Sequence, residues 1–330
     1  MPYKELMKNI LITGGAGYIG SHIAEILVKK QFNVFILDNL SNGHKKLINK
    51  KASFFKGDIK NQKLLKNILN INKIDSVIHL AALLDVNESQ KKPKKYYQNN
   101  VLGTKNLITA CLKNNIKNFI FSSTAAVYKD GIFKVSEKSP TKPKSIYGKG
   151  KLYSEKIIKK TFKNTKINYA ILRYFNVCGA SKSNKIGQIN DYDLLFKNLA
   201  KSVISRKPVI FIYGNNYKTK DGTCIRDFIH VSDISNIHIK ILAKIDKTKK
   251  SITINCGYGI GRSVLDVVKT FVRCSKKNIK IVVKKRRKAD LSQIIADNSK
   301  LKKYLNWKPK FNNLTLMVKS SIKWEKKINQ

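Results

Sequence analysis

The chain has 330 residues, 42% of them hydrophobic, and carries 67 Lys plus Arg against 20 Asp plus Glu, a formal net charge of +47. That apolar content suits a real core in one large or two modest domains, and no apolar run reaches the roughly 18 residues of a membrane span. Only seven of the basic residues are Arg and the lysines are spread evenly, so the charge reads as solvated faces and not as the Arg-rich surface of a specific nucleic-acid reader.

The first nine residues are polar and Ile10-Leu11-Ile12 is too short for a signal-peptide core, so the expected location is cytoplasmic. Met7 also opens a reasonable chain, which would leave residues 1–6 outside the fold. Cys111, Cys178, Cys224, Cys256 and Cys274 show no C-x-x-C or Cys/His ligand spacing; buried, reduced thiols and no metal are expected.

In chain order, short β-branched runs at 9–13, 33–37, 53–55, 76–80, 118–122 and 168–173 alternate with helical stretches near 18–30, 61–69, 94–115 and 145–163. That rhythm predicts an α/β fold, a doubly wound parallel sheet with helices on both faces. After Arg173 it loosens into a helix near 191–205, a strand at 209–213, a polar loop at 214–223 and strands at 252–255 and 279–283. Ser263-Val264-Leu265-Asp266 reads as a capping box opening a further helix.

Between the first strand and helix lies Gly14-Gly15-Ala16-Gly17-Tyr18-Ile19-Gly20, a G-x-x-G-x-x-G variant of the dinucleotide fingerprint. Glycines there let backbone approach a pyrophosphate, and the helix N-terminus supplies N–H groups. The second strand ends at Asp38, where a carboxylate accepts from the adenosine ribose and repels a 2′-phosphate, favouring NAD. The alternatives are a plain turn residue in Asp38-Asn39-Leu40-Ser41-Asn42-Gly43, or NADP held by Lys45 and Lys46. The third strand ends at Gly57-Asp58-Ile59, a place for the adenine amino group. The fourth strand ends at Leu80 and runs into Ala81 and Ala82, small enough for close passage of the cofactor. His79 carries no functional expectation.

Tyr147 and Lys151 are spaced i, i+4 on one helical face. A phenol is a poor base at neutral pH, and a nearby ammonium and a positive nicotinamide would lower its pKa. Lys151 could also hold the nicotinamide ribose. The segment Phe121-Ser122-Ser123-Thr124 ends a strand at the carboxyl edge of the sheet, where Thr124 could bridge Tyr147 to a substrate oxygen. The alternative there is a hydroxyl-rich strand end satisfying its own backbone.

These residues resemble the UDP-glucose 4-epimerases, extended short-chain dehydrogenases/reductases, over nearly the whole chain. The likeness is carried by Gly14 to His22, Leu37-Asp38-Asn39-Leu40, Tyr96-Tyr97-Gln98-Asn99-Asn100-Val101, the Thr124 segment and Tyr147-Gly148-Lys149. It continues through Leu172-Arg173-Tyr174-Phe175-Asn176, the run from Asp221 to Val231, and Ser263 to Val268. The resemblance implies a Rossmann-type NAD-binding domain at 1–175, with 225–260 returning to it, and a smaller C-terminal α/β domain for a UDP-sugar at 176–224 and 261–330. It implies catalysis by Thr124, Tyr147 and Lys151. NAD would be held by Gly14, Gly17, Tyr18, Ile19, Gly20, Asp38, Asn39, Asn42, Asp58, Ile59, Leu80, Ala81, Asn99, Ser122, Tyr147, Lys151 and Phe175. The UDP-sugar would meet Thr124, Asn176, Arg226, Arg287 and Asp290. It also implies a homodimer through the helices near 94–115 and 145–163.

The chain departs from the family pattern at Leu194-Leu195 and Lys197, where Asn or His before Leu and a Pro are usual. It departs again at Leu84, Lys288-Ala289 and Ile294. Another UDP-sugar epimerase or decarboxylase and a non-catalytic NAD-binding regulator are the alternatives. Ala125 and Ala126 after the hydroxyl argue against a 4,6-dehydratase, which wants acids there.

Overall fold

The computed structural model describes residues 9–190, 194–287 and 291–330. The alternative chain starts and Asp290 lie outside them. In order the chain forms β1 (Asn9–Thr13), α1 (Tyr18–Lys29), β2 (Asn33–Asp38), β3 (Ser53–Lys56), α2 (Gln62–Ile71), β4 (Ser76–His79), α3 (Val86–Lys91), α4 (Pro93–Tyr96), α5 (Gly103–Leu112), β5 (Asn118–Thr124), β6 (Lys134–Val135), α6 (Ile146–Phe162) and β7 (Asn168–Tyr174). There follow β8 (Asn176–Cys178), α7 (Leu195–Ile204), β9 (Val209–Tyr213), β10 (Ile225–His230), α8 (Val231–Thr248), β11 (Ile252–Cys256), β12 (Gly261–Ser263), α9 (Val264–Ser275), β13 (Lys280–Lys284), β14 (Gln293–Ala296), α10 (Ser299–Leu305) and α11 (Leu314–Ile328).

Two compact units result. One comprises Met1–Val127, Thr141–Arg173 and Ser235–Ile254; the other comprises Tyr128–Pro140, Tyr174–Ile234 and Asn255–Gln330. Of the segment 225–260, most of α8 and β11 lie in the first unit and β10 in the second.

The first unit is a Rossmann-type layer around a seven-stranded sheet of order β11-β7-β5-β4-β1-β2-β3. The pairs β1–β2, β2–β3, β1–β4 and β4–β5 are all parallel. Strand order reverses between β1 and β4, the crevice where such sheets bind ligands. The central strands are buried along almost their whole length, as strands covered on both faces must be. Leu11, Val77, Phe119 and Ile171 of the sheet pack with Leu65 and Leu69 of α2, Leu107 of α5, and Ile158 and Phe162 of α6. Each such side chain, fully buried, is worth about 1.5–3 kcal/mol.

The helix expected over 94–115 carries a feature that periodicity does not reveal. Between α4 and α5 the segment Tyr97–Leu102 is π-helical, with helical backbone at both joins. Such a turn inserts one extra residue and is frequent at functional sites.

In the second unit β12-β10-β14-β6 form a sheet to which β8 adds by pairing with β10, and β9 pairs with β13 as a separate parallel ribbon. Phe196 of α7 packs its ring on Phe228 and Phe271. The Ser263 hydroxyl caps α9 by accepting from the Asp266 N–H at 3.0 Å, as the capping-box reading predicts.

Candidate active site

The turn after β1 is built for close approach. Gly14 has φ +73°, and a Cβ there would lie 2.7 Å from the Ala81 nitrogen. Its N–H donates to the Leu37 carbonyl at 2.8 Å, and its own carbonyl accepts from Gly17 at 3.1 Å. A Cβ on Gly20 would collide with the Gly14 carbonyl oxygen. Gly17 then caps α1 with no side chain, so Tyr18, Ile19 and Gly20 open the helix backbone-first at the carboxyl edge of the sheet. This cradle suits a pyrophosphate.

Asp38 ends β2 buried, 8% exposed. Its carboxylate accepts from the Ala16 N–H at 3.0 Å and the Leu40 N–H at 2.9 Å. The turn role and the ligand role are therefore compatible: the backbone bonds fix the carboxylate against the glycine turn. Burial pushes its pKa up, against those two bonds. Asp58 accepts from the Asn39 amide at 3.0 Å and from the Lys60 N–H, tying the ends of β2 and β3 together. Asn42 lies in the same β2 turn, partly buried. Ile59 is 4% exposed within the core, which leaves its backbone for any ligand.

His79 sits under this edge and is structural. Thr104 Oγ1 donates to the Asn100 carbonyl at 2.7 Å and therefore accepts from His79 Nε2 at 2.9 Å; His79 Nδ1 then accepts from Thr13 Oγ1 at 2.7 Å. The ring is neutral, its pKa lowered to about 3 by burial first and by the Lys151 charge second. The unfolded chain binds a proton on this ring near the ordinary pKa and the folded chain does not. Stability is thus fully present above that pKa and falls on acidification by about 1.4 kcal/mol per pH unit. Urea midpoints between pH 7 and 5 should show this slope in the wild type, and less of it in His79→Gln.

The catalytic candidates come together on β5 and α6. Ser145 caps α6 through the Gly148 N–H at 3.0 Å, and Ser89 accepts from the Tyr147 N–H at 3.2 Å. Thr124 is hydrogen-bonded to the Tyr147 hydroxyl, and the Thr124 Oγ1 also accepts from the Ala126 N–H at 3.2 Å. Burial pushes the Tyr147 pKa up to about 12, and the Thr124 bond pulls it down. The downward pull in the protein alone therefore comes from Thr124, where the spacing had pointed to Lys151. Lys151, 3% exposed, donates to the Ser122 carbonyl at 2.7 Å and lies 4.8 Å from the centre of the Phe121 ring. Burial lowers its pKa to about 7, opposed by Glu155. Ser122, expected at the cofactor, spends its carbonyl on Lys151.

Neighbouring positions are also fixed. Leu80 and Ala81 line the turn opposite Gly14. Asn99 donates to the Asn100 side chain at 2.9 Å. Asn100, 2% exposed on the π-helical turn, exchanges two bonds with the Leu83 backbone at 2.8 and 2.9 Å and so fixes the loop after β4. Leu84 in that loop is 47% exposed.

In the second unit Phe175 is buried, its N–H bonded to the Cys256 carbonyl, and Asn176 is exposed on β8. Arg226 on β10 is paired in register with Ile294 and Arg262, and its guanidinium donates to the Ile225 carbonyl at 2.9 Å. The Arg287 guanidinium lies over the Tyr213 ring at 3.9 Å, and that of Arg286 over Tyr217 at 4.0 Å. Much of the Asp221-to-Val231 motif is structural. Asp227, fully buried, accepts from the Tyr258, Gly259 and Ala296 N–H groups.

Residues 10–257 match the family model described as "NAD dependent epimerase/dehydratase family". The chain belongs to that family. This epimerase/dehydratase-family enzyme is 41% identical over 321 residues to a UDP-glucose 4-epimerase of Lactobacillus helveticus, covering 96% of this chain and 97% of that one. Its fold matches the UDP-glucose 4-epimerase of Stenotrophomonas maltophila, solved with NAD and formylated UDP-arabinopyranose, with a TM-score of 0.94, 32% identity and coverage of 98% and 99%. The UDP-Glc/GlcNAc 4-epimerase of Campylobacter jejuni aligns with a TM-score of 0.85, 41% identity and coverage of 97% and 99%. NAD is the cofactor of the family, and the Gly14–Gly20 cradle with the fixed Asp38 carboxylate fits it.

Two parts of this family member's site escape motif reading. One is Asn100 on the π-helical turn. The other is a buried pair in which Arg173 grips Glu155 at 3.0 and 2.7 Å while Ser123 Oγ donates to the same carboxylate at 2.5 Å. Glu155 falls one helical turn after Lys151 on α6.

Proposed function

We propose that the enzyme interconverts UDP-galactose and UDP-glucose by transient oxidation at hexose C4. The observation that carries this reading is the Tyr147 hydroxyl hydrogen-bonded to Thr124, with Lys151 anchored on Ser122, beside a glycine turn shaped for a dinucleotide. Bound NAD supplies a reversible hydride acceptor for C4. The first unit holds it: Gly14, Gly17, Tyr18, Ile19 and Gly20 at the pyrophosphate, Asp38, Asn39 and Asn42 at the adenosine ribose, and Asp58 and Ile59 at adenine. Leu80, Ala81, Asn99, Ser122 and Lys151 serve the nicotinamide half. Tyr147 takes the C4 hydroxyl proton and returns it, Thr124 orienting the oxygen through its hydroxyl. Lys151 keeps a positive charge near the phenol. In the second unit Arg226 and Arg287 bind the UDP pyrophosphate, with Asn176 and Asp290 on the same substrate. Guanidinium forks suit a diphosphate, and anchoring only the UDP end leaves the hexose free to present either face.

The cytoplasm is the proposed location; no helix among the described residues is long and apolar enough to cross a membrane, and the five cysteines are free. A homodimer is proposed through the helical face where Pro93, Tyr96, Tyr97, Val101, Ile146 and Tyr153 line a groove of about 470 Å³. Tyr97 and Tyr153 there are about half exposed, a costly arrangement for apolar surface left in water.

The test is incubation with UDP-galactose without added cofactor, after purification at high salt. Formation of UDP-glucose is expected. Failure even with added NAD, in protein that binds NAD, would sink the reading. The C. jejuni relative favours a second reading, in which N-acetylated UDP-hexoses are also turned over; UDP-N-acetylgalactosamine in the same assay decides it.

A further inference from the structure

The buried Glu155–Arg173 pair has no part in the chemistry proposed above, yet it bonds Ser123, which lies between the two β5 residues that meet Lys151 and Tyr147. We infer that Glu155 is a positioning residue: through Ser123 and Arg173 it fixes the end of β5, and it keeps a negative charge one helical turn from the Lys151 ammonium. The inference rests on the epimerase reading for its kinetics and on geometry for the rest.

Ser123 lies between Ser122, whose carbonyl takes the Lys151 ammonium at 2.7 Å, and Thr124, whose hydroxyl meets Tyr147. The backbone of β5 therefore carries two contacts of the catalytic constellation on adjacent residues. Successive strand side chains point to opposite faces, so Ser123 turns away from Thr124 and reaches the Glu155 carboxylate on α6. Arg173 on the neighbouring strand β7 holds that carboxylate by two nitrogens, with the two side chains only 4% and 1% exposed. A bidentate, dry contact of this kind leaves little rotational freedom. Strand β5, helix α6 and strand β7 are locked at one point directly behind the reacting groups.

The charge matters as much as the clamp. Lys151 is buried, and desolvation pulls its pKa to about 7, with Glu155 opposing the fall. The other groups packed around the lysine do not supply this field. His79 of β4 is neutral and β5 offers only the Phe121 ring and the Ser122 oxygens. Tyr147, on the same helix, is protonated. From α3 and α4, Glu88 and Tyr96 bond each other, and Glu88 also pairs with Lys92 and Lys95. Without Glu155 the ammonium loses its proton at a lower pH.

The discriminating variant is Glu155→Gln/Arg173→Met, which removes both charges so that no unpaired one is left buried. Its kcat against pH with UDP-galactose should lose activity on the basic side about one pH unit earlier than the wild type. The ¹³Cε resonance of the buried lysine, assigned with Lys151→Arg, should titrate earlier by the same amount. Ser123→Ala keeps both charges: kcat should fall ~10-fold with KM little changed and the basic limb unmoved. A merely structural pair would lower stability while leaving both the limb and the resonance in place, and that result overturns the inference. Wild-type kcat in Ser123→Ala overturns the positional half, even if the double variant does not fold. If the wild type shows no epimerase activity but the resonance moves as stated, the functional reading falls and the electrostatic role stands.

Discussion

Replacing Tyr147 by Phe should lower kcat by ~10²- to 10⁴-fold, the range for a positioned acid–base group, while NAD remains bound. Phe keeps the backbone bond of residue 147 to Ser89 on α3; only the hydroxyl and its bond to Thr124 are lost. The unusual feature is how far the hydroxyl stands from neutrality in the protein alone, its pKa near 12 because burial disfavours the phenolate. A proton held that tightly does not leave at neutral pH unless positive charge arrives beside it. The rate should therefore depend on the charge of the Lys151 ammonium and fall as pH rises through its titration. Single-turnover measurements on wild type and Tyr147→Phe at matched NAD content check this. Retention of more than roughly a tenth of the wild-type rate would remove Tyr147 from the proton-transfer role.

The second large effect is expected in the other unit and concerns stability. Lys197 of α7 and Glu325 of α11 form an ion pair at 2.8 Å with side chains 3% and 2% exposed. Lys197 also reaches the Gln188 carbonyl at 3.4 Å, which the Trp324 indole N–H meets at 2.7 Å. Lys197→Ala leaves a carboxylate buried without its cation and should cost about 3–5 kcal/mol. Lys197→Met/Glu325→Leu, which removes both charges and keeps the volume, should recover most of that loss. Urea midpoints of the three proteins decide it; equal destabilisation in the single and double variants would show that packing, not charge, is what the site requires.

That pair also shows where sequence reading stops. Lys197 is one lysine in a chain full of them, at a position where the family pattern usually has a Pro. Its partner lies 128 residues away, so no local spacing could reveal that the side chain turns inward to hold two helices. The same holds for Arg173 and Glu155, and for Asn100, whose inward placement depends on a π-helical turn invisible to a 3.6-residue period. What could be read were features whose geometry is local: glycines where a Cβ cannot fit, an acid at the end of β2, and Tyr147 and Lys151 on one helical face. The central strands β1, β4 and β5 of the first unit were legible because each is a nearly continuous buried run. Of the second unit's small sheet, β10 was hidden inside a polar-looking motif whose Asp227 carboxylate in fact serves three backbone N–H groups.

The interleaving of the two units along the chain sets an order for folding during synthesis. Strand β11 closes the edge of the seven-stranded sheet, yet it is translated roughly eighty residues after Arg173, the last residue of the preceding segment of that unit. At roughly 5–20 residues per second the ribosome takes about 4–16 s to cover that distance. Throughout that interval β7 is an open edge with Tyr169 and its neighbours unpaired on one side, a surface on which another nascent chain can add a strand. The many lysines dispersed over the chain are well suited to that interval, because like charge keeps two incomplete copies apart before either sheet is finished.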